Sequence, residues 1–473
     1  MRHSPDSKSF PGESRIASGE APIALPGEAT GAPPGGTGTA LLTDHYELTM
    51  LRGALHSGAA QRRTVFEVFA RHLPHGRRYG VVAGTGRLLS ALERFRFTKA
   101  DLDFLEAAGV VDDITLRYLE SYRFCGNIWG YPEGDCYFPG SPILVVEGTF
   151  AEAVALETVT LSILNHDCAI ASAASRMVTA AGDRPLIEMG SRRTHEEAAV
   201  ACARAAYLAG FSSTSNLQAR REYGVPTAGT SAHSFTLVHD SERHAFRTQL
   251  DALGKDTTLL VDTFDVPRAV RCAVELAGPD LGAVRIDSGD LPALARQVRA
   301  LLDELGADRT RIVLTGDLDE YSIAALAAAP VDGYGVGTAL VTGSGAPTAA
   351  LVYKLVARSD AAGPDRPLRP VAKRSVGKPG RGGRKWALRH RDGDGTALAE
   401  EIYPAPPDPR PTDRTLLHPL VRGGEIVGAE TLEAARERHR RALAELPPQA
   451  LQLSRGDPAI PTVFEPDSEP ERD

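Results

Sequence analysis

One histidine, His233, stands in a run of small residues, Gly229-Thr230-Ser231-Ala232-His233-Ser234. Small neighbours leave an imidazole open to a second reactant. A free imidazole titrates near neutrality and carries a lone pair on one ring nitrogen, so it can act as nucleophile, general base or phosphate acceptor. A hydrogen-bonded structural histidine would fit the same run, but the residues farther along the chain favour the chemical interpretation.

Several short β-rich runs end in Gly, Asp, Ser or Thr, and they alternate with alanine-rich stretches typical of helices. They lie at residues 186–193, 259–263, 283–290, 311–317 and 333–338. This alternation predicts a parallel α/β barrel, in which chemistry gathers at the carboxyl ends of the strands. The site is therefore expected to draw on several segments.

Arg285 and Asp287 leave one predicted strand two residues apart, so they face the same side. A cation beside an anion suits catalysis, although a plain salt bridge would look the same. Asp287 also precedes Ser288, Gly289 and an early proline, a pattern that begins a helix beside a strand end and suits phosphate binding.

Two further segments could bind anions. The run Gly335-Val336-Gly337-Thr338 lacks the third glycine of a dinucleotide fingerprint, since residue 340 is Leu. Its amides and the Thr338 hydroxyl would suit a phosphate monoester at a barrel mouth, and a tight turn is the alternative. Arg192, beside Arg193, could enter the mouth as an anion ligand.

Composition excludes several classes of protein. The 473 residues carry a formal charge of −8, which argues against a general nucleic-acid binder. Five cysteines without a Cys-x-x-Cys pair suggest neither zinc nor a disulfide framework, and they fit a reducing cytoplasm. No apolar run approaches the length of a membrane span, so we expect a soluble, unexported protein without a membrane partner.

Composition also predicts how the chain is divided. Residues 1–38 are rich in Pro, Gly, Ser and Ala and are expected to form a disordered arm. An N-terminal α+β domain is expected over 39–150, the α/β barrel over 151–358, a C-terminal segment over 359–453 and a loose tail over 454–473. The C-terminal segment carries a basic loop, Lys373 to Lys385, that is either solvated or has an anion-binding or gating role. The segment is expected to return to the N-terminal domain.

Two local patterns predict elements of the N-terminal domain. Thr43 or Asp44 is expected to cap a helix that runs through Tyr46 and Leu51. The alternation over 64–69 predicts a strand with one buried face.

Seven motifs, taken together and in order, resemble nicotinate phosphoribosyltransferases over residues 40 to 390. They are Leu41-Leu-Thr-Asp-His-Tyr-Glu-Leu-Thr-Met, Glu188-x-Gly-x-Arg-Arg, Gly229-Thr-x-Ala-His-Ser-Phe, Arg285-Ile-Asp-Ser-Gly-Asp, Thr315-Gly-Asp-Leu-Asp-Glu, Gly335-Val-Gly-Thr and Val352-Tyr-Lys-Leu-Val. The resemblance implies a type II phosphoribosyltransferase fold, an incomplete α/β barrel against an N-terminal α+β domain.

The resemblance also implies a reaction. ATP-assisted transfer of ribose 5-phosphate from 5-phosphoribosyl 1-pyrophosphate to nicotinate would give nicotinate mononucleotide and pyrophosphate for NAD salvage. Mg²⁺ would accompany ATP and phosphoribosyl pyrophosphate, and the chain would form a homodimer.

Residue by residue, the resemblance implies these roles. His233 would be the histidine that ATP phosphorylates, Asp287 would orient the ring or stabilise positive charge on the reacting sugar, and Arg285 would bind the pyridine carboxylate. The remaining substrate contacts would be Tyr46 from the other subunit, Arg192, Ser215, Thr230, and a ribose and phosphate cradle of Gly316, Asp317, Gly335, Gly337 and Thr338. The chain departs from the family's commoner residues at Met189, Ser191 and His166.

Three other functions remain open at this point. A nicotinamide-specific relative would carry an aspartate where Ser215 stands, and a carboxylate there would repel an acid substrate. A catalytically silent, phosphate-binding regulatory relative would require the loss of a catalytic position. A barrel lyase or isomerase would use a Schiff-base lysine or metal-binding carboxylates at the strand ends.

Overall fold

A computed structural model describes residues 38–363, 365–373 and 381–465. The predicted arm, 1–38, therefore lies outside the described residues except for residue 38. The middle of the basic loop and the last eight residues of the predicted tail also lie outside them. No described helix combines the length and apolarity needed to cross a membrane.

The strands follow one another along the chain as β1 Arg62–Ala70, β2 Gly80–Val81, β3 Asn127–Gly130, β4 Cys136–Tyr137, β5 Leu144–Thr149, β6 Leu186–Glu188, β7 Ser213–Thr214, β8 Thr258–Leu260, β9 Ala283–Ile286, β10 Arg311–Leu314, β11 Gly333–Val336, β12 Leu351–Ala362, β13 Leu368–Pro370, β14 Trp386–Arg391, β15 Ala397–Tyr403, β16 Arg414–Thr415, β17 His418–Arg422, β18 Glu425–Ile426 and β19 Thr462–Phe464.

The helices are α1 His45–Ser57, α2 Thr85–Glu93, α3 Lys99–Ala107, α4 Asp113–Glu120, α5 Phe150–Val154, α6 Glu157–Ala181, α7 Glu196–Leu208, α8 Leu217–Tyr223, α9 His233–Leu237, α10 Glu242–Leu253, α11 Val266–Ala277, α12 Leu291–Glu304, α13 Glu320–Ala325, α14 Thr338–Val341 and α15 Leu432–Ala444. Asp44 caps α1, as one of the two residues predicted to do so.

Six strands form a parallel sheet in the order β7-β6-β11-β10-β9-β8. Strands β8 to β11 pair in the order in which they follow along the chain, and β11 then pairs with β6, so the sheet curls round on itself. Strands β7 and β8 are the two edges of the sheet, and a ladder between them would be needed to complete the ring. The fold is therefore an incomplete α/β barrel, as predicted, with an open seam between β7 and β8.

A second, seven-stranded sheet has the order β13-β12-β1-β5-β3-β17-β18. The long helix α6 packs between the two sheets: Val159 and Ile163 belong to the core around the seven-stranded sheet, and Ile170 and Met177 belong to the core of the barrel. Its many alanines have small side chains, which lets both cores approach the helix closely.

Strand β1, in the interior of that sheet, departs from its predicted pattern. In β1 the residues from Thr64 to Val68 are all buried, not every second one. The polar Glu67 is buried because the ammonium group of Lys385 binds its carboxylate at 2.8 Å. The alternation was therefore a correct sign of a strand, but the prediction of a single buried face is wrong.

The chain returns to the seven-stranded sheet before the predicted end of the barrel. Strand β12 straddles residue 358 and pairs antiparallel with β1 along nearly its whole length. The prediction of a loose tail is wrong for residues 454–465, because Ile460 is buried and β19 adds a parallel strand to β15. The other domain boundaries stay predictions.

Candidate active site

Arg285, the third residue of β9, organises the carboxyl end of the barrel. Its guanidinium donates from Nε to Thr315 Oγ1 at 2.9 Å and from Nη2 to Asp287 Oδ1 at 2.9 Å. Its Nη1 donates to Thr230 Oγ1 at 2.6 Å and to the Ser231 carbonyl at 3.2 Å. The side chain is only 11% exposed. These contacts leave one of the five guanidinium N–H groups, on Nη2, for a ligand.

Asp287 lies just beyond the end of β9, between the arginine and the histidine. Its Oδ1 accepts hydrogen bonds from Arg285 and from the Thr315 hydroxyl, and its Oδ2 lies 3.9 Å from His233 Nε2. Partial burial alone would raise the pKa of this carboxyl, but the hydrogen bonds from Thr315 and Arg285 outweigh it, so the pKa lies below its ordinary value. Asp287 is therefore a fixed negative charge at neutral pH.

His233 begins α9, in the segment that crosses the open seam between β7 and β8. Its side chain is 40% exposed, its Nδ1 lies 3.2 Å from Thr263 Oγ1, and its Nε2 faces Asp262 Oδ1 and Asp287 Oδ2, each at 3.9 Å. The fold thus brings together His233, Asp287, Arg285 and Thr230, as the sequence predicted.

Asp262 was missed as a site residue. It follows β8, its side chain is 3% exposed, and its Oδ2 accepts from the Asp287 N–H at 2.9 Å and the Ser288 hydroxyl at 2.7 Å. Its Oδ1 is buried and has no hydrogen-bond partner among the described residues, and His233 Nε2 lies 3.9 Å from it. The signal was present, because residues 259–263 show the same strand-end pattern as the run that contains Asp287.

The turn after β10 is built for close approach to Asp287. Gly316 has φ +113°, and a Cβ placed on it would lie 2.4 Å from the Asp287 carbonyl oxygen. Asp317 follows with φ +49°, in the left-handed region that side chains other than glycine rarely adopt. Both residues are exposed. The predicted phosphate residues thus sit on a sharp turn directly beside the carboxylate cluster.

The glycines of the β11 segment divide into two groups. Gly335 is buried inside the barrel, where a Cβ would lie 2.5 Å from Thr315 Cγ2 and 2.7 Å from Met189 Sδ. Packing against these two side chains explains why this residue is glycine, and Thr315 is the residue that binds Arg285 and Asp287. Gly337 and Thr338, by contrast, lie at the strand end, and Thr338 is exposed.

Arg192 and Ser215 follow the neighbouring strands β6 and β7, and both are exposed. The Ser215 N–H donates to the Glu188 carbonyl at 2.8 Å, which holds the two strand ends together. The buried Glu188 carboxylate accepts from the Gly190 N–H and the Thr214 hydroxyl, and burial raises its pKa. This buried acid was quoted in a motif but was not singled out from the sequence.

Two candidates lie away from this cluster. Tyr46 is 44% exposed on α1, where burial and the nearby carboxylates of Glu157 and Glu47 raise its pKa. No hydrogen bond or ion pair of the described residues joins it to the barrel mouth. His166 packs against helix α7, with Nδ1 2.8 Å from Asp167 Oδ1 and Nε2 3.5 Å from Cys202 Sγ.

The arrangement can support phosphoryl and glycosyl chemistry. A partly exposed imidazole faces fixed carboxylates that can stabilise positive charge, and an arginine and sharp backbone turns lie beside them. No group of three or more His, Cys, Asp or Glu side chains within the described ranges could hold a metal by itself. Mg²⁺ commonly binds through one or two carboxylates plus substrate phosphates, and Asp262 Oδ1 is a buried acceptor still open to such a group.

Comparison with known proteins agrees with this geometry. Residues 41–165 match the family model of the nicotinate phosphoribosyltransferase N-terminal domain. The chain is 59% identical over 432 residues to nicotinate phosphoribosyltransferase pncB1 of Mycobacterium tuberculosis, which covers 89% of this chain and 94% of that protein. It is also 36% identical over 326 residues to the nicotinate phosphoribosyltransferase of Bacillus subtilis, over 67% of this chain and 66% of that one.

Among solved structures, the human nicotinic acid phosphoribosyltransferase matches with a TM-score of 0.77 and 26% identity, covering 90% of this chain and 97% of that chain. A nicotinate-nucleotide pyrophosphorylase from Pyrococcus furiosus matches with a TM-score of 0.70 and 25% identity, covering 88% and 97%. The open barrel and its mouth are those of a phosphoribosyltransferase. Within that class, the chain belongs to the nicotinate phosphoribosyltransferase family.

Proposed function

We propose that this enzyme transfers the 5-phosphoribosyl group from phosphoribosyl pyrophosphate to the ring nitrogen of nicotinate, with ATP as co-substrate. The products are nicotinate mononucleotide and pyrophosphate. The observation that carries the proposal is the cluster of His233, Asp262, Asp287 and Arg285 at the barrel mouth. The relatives of this chain are named nicotinate phosphoribosyltransferases. Under this proposal the reaction belongs to NAD salvage.

His233 accepts the γ-phosphoryl group of ATP. The carboxylates of Asp262 and Asp287 both lie on the Nε2 side of the ring, so they favour a proton on Nε2. That tautomer leaves the lone pair on Nδ1, which the Thr263 hydroxyl faces. Nδ1 attacks the γ-phosphorus, the bond to the bridging oxygen breaks, and ADP leaves with the electron pair.

The transfer step replaces one bond at the anomeric carbon of the sugar with another. The lone pair of the nicotinate ring nitrogen forms the new C–N bond, while the bond to pyrophosphate breaks and pyrophosphate takes the electron pair. Positive charge develops on the sugar as this happens. Asp287 is held ionised beside that position and stabilises the charge.

Substrate binding divides between the strand ends. The remaining Nη2 N–H of Arg285 and the positive charge of its guanidinium meet the pyridine carboxylate, with Thr230 and Ser215 beside it. Arg192 and the cradle of Gly316, Asp317, Gly337 and Thr338 meet the sugar and phosphates. Mg²⁺ would arrive with those phosphates and neutralise part of their charge, with Asp262 Oδ1 as the open protein ligand.

Tyr46 acts in the active site of a second copy of the chain. It lies on an exposed apolar surface with Leu41, Leu42 and Met50, which are 39%, 61% and 37% exposed. Leu237, at the end of the helix that begins with His233, is a further exposed apolar side chain. A homodimer that covers both surfaces would bring Tyr46 to the partner's nicotinate, where the ring could stack.

The proposal places the reaction in the cytoplasm. All five cysteines are free thiols, which suits a reducing compartment.

The test measures nicotinate mononucleotide formation with and without ATP, alongside labelling of the protein by γ-phosphate. The wild-type protein should take up an acid-labile, base-stable label, and His233→Ala should take up none while keeping a slow ATP-independent transfer. His244→Ala is the matched control, because His244 is an exposed histidine on the following helix. Equal labelling of His233→Ala would refute phosphorylation of His233. Conversion of nicotinamide in preference to nicotinate would refute nicotinate as the substrate.

The dimer is tested separately by mixing two chains that each lack ATP-stimulated transfer. Tyr46→Ala and His233→Ala, when mixed, should regain part of the activity, because each hybrid holds one intact site. If hybrids form without any recovery of activity, the site belongs to a single chain.

A further inference from the structure

Polar groups of β6 and β7 form a closed circuit beneath the barrel mouth. The Glu188 carboxylate accepts from the Gly190 N–H and from the Thr214 hydroxyl. Thr214 Oγ1 in turn accepts from the Asn216 N–H at 2.9 Å, and Asn216 Nδ2 donates to Ser191 Oγ at 3.0 Å. Since Gly190 and Ser191 are covalent neighbours, these contacts close on themselves. We call this circuit the Glu188 ring.

The acid of the ring is buried. Glu188 is 1% exposed and lies in register with Thr214 on the neighbouring strand. No ion pair to Glu188 occurs within the described part of the chain, so these neutral donors are what satisfies its carboxyl oxygens. If either the acid or its donors were removed, the remaining buried polar groups would be unpaired, which costs free energy of folding.

The ring carries two substrate loops. Arg192 follows Ser191 directly, in a turn closed by the Arg193 N–H, which donates to the Gly190 carbonyl at 2.8 Å. Ser215 lies between Thr214 and Asn216, two members of the ring. The position of each loop therefore depends on the other.

We propose that the Glu188 ring is a positioning device that sets Arg192 and Ser215 at a fixed separation for the two substrates. The inference rests on the proposed function, in which Arg192 meets the phosphoribosyl donor and Ser215 meets nicotinate.

The first test opens the ring at its most accessible link. Ser191→Ala removes only the hydroxyl that accepts from Asn216, and the loss of one such hydrogen bond should raise KM about fivefold. Both KM values, for nicotinate and for phosphoribosyl pyrophosphate, should rise while kcat and the melting temperature stay near wild type. Ser212→Ala is the matched control, since its hydroxyl binds the Leu186 carbonyl at 2.8 Å at the opposite end of the same strands. It should change neither KM.

The second test compares two replacements of the acid. Glu188→Gln keeps the shape and an acceptor for the Gly190 N–H, so its KM values should stay closer to wild type than those of Glu188→Ala. Unchanged KM values in Ser191→Ala, or a fall in kcat without a rise in KM, would overturn the positioning role even if Glu188→Ala does not fold. An inactive wild-type protein would instead refute the proposed function.

Discussion

The carboxylate of Asp262 accepts the backbone N–H of Asp287 at 2.9 Å, so the ends of β8 and β9 are held together directly beneath His233. The other oxygen of Asp262 is buried and faces the imidazole at 3.9 Å. One carboxylate thus fixes the position of the other and contributes charge beside the histidine at the same time.

Asp262→Asn should suppress phosphorylation of the enzyme more than the transfer itself. The amide keeps the size of the side chain but removes the negative charge that favours a proton on Nε2. We expect ATP hydrolysis and phosphate labelling to fall at least tenfold, and ATP-independent transfer to fall less. Asp265→Asn is the control, because Asp265 caps α11 from the surface nearby. Equal losses in both activities would contradict a specific role of Asp262 in the phosphorylation of His233.

Arg285→Gln should weaken nicotinate binding through loss of a charge-assisted hydrogen bond, worth about 1.5–3 kcal/mol, which corresponds to tenfold or more in KM. Part of the loss in nicotinate binding will come from displacement of Thr230 and Asp287, because the guanidinium also donates hydrogen bonds to them. Discrimination between nicotinate and nicotinamide separates the two causes, since only the carboxylate contact depends on substrate charge. Arg311→Gln, at the exposed start of β10, is the control. Unchanged discrimination would remove Arg285 from carboxylate recognition.

Gly316→Ala should damage the site by steric contact. The new methyl group would meet the Asp287 carbonyl oxygen at 2.4 Å in a backbone conformation with positive φ. We expect a loss of about 1–3 kcal/mol in the free energy of unfolding and a fall in kcat/KM, because Asp287 must move. Gly306→Ala shares the positive φ but meets no atom within 4 Å, so it should lose stability without a comparable loss of activity.

His439 should make the fold sensitive to mild acid. It is buried, with Nε2 3.0 Å from Ser175 Oγ and Nδ1 3.0 Å from the Gly134 carbonyl, and burial lowers its pKa to about 4. The folded state requires the neutral ring, so stability is full above the unfolded pKa near 6.5 and is lost as the pH falls towards 4. Urea unfolding at pH 5 should show a loss of about 2 kcal/mol relative to pH 7.5.

The matched variants for that measurement are His439→Gln, which can keep both contacts without titrating, and His244→Gln on the surface. The first should lose most of the pH dependence and the second should keep it. A pH dependence that survives His439→Gln would place the acid sensitivity elsewhere.

The sequence located much of the site because barrel chemistry gathers at strand ends, and a strand end is a local pattern. His233, Arg285 and Asp287 were recognisable from their immediate neighbours. The same local rule could not separate Gly335 from Gly337, because one lies a single residue inside the strand and packs against Met189. Which side of a strand end faces a ligand depends on the neighbouring strands.

What the sequence determined by itself is the set of reactive residue types and their order along strands and turns, since these depend on nearby residues only. The tertiary structure alone decided that Asp262 would face His233 and that Thr315 would bind both Arg285 and Asp287. These contacts join residues about thirty positions apart, and their distances follow from strand order and the open seam between β7 and β8. Sheet curvature sets such distances, and it is a property of all the packed strands together.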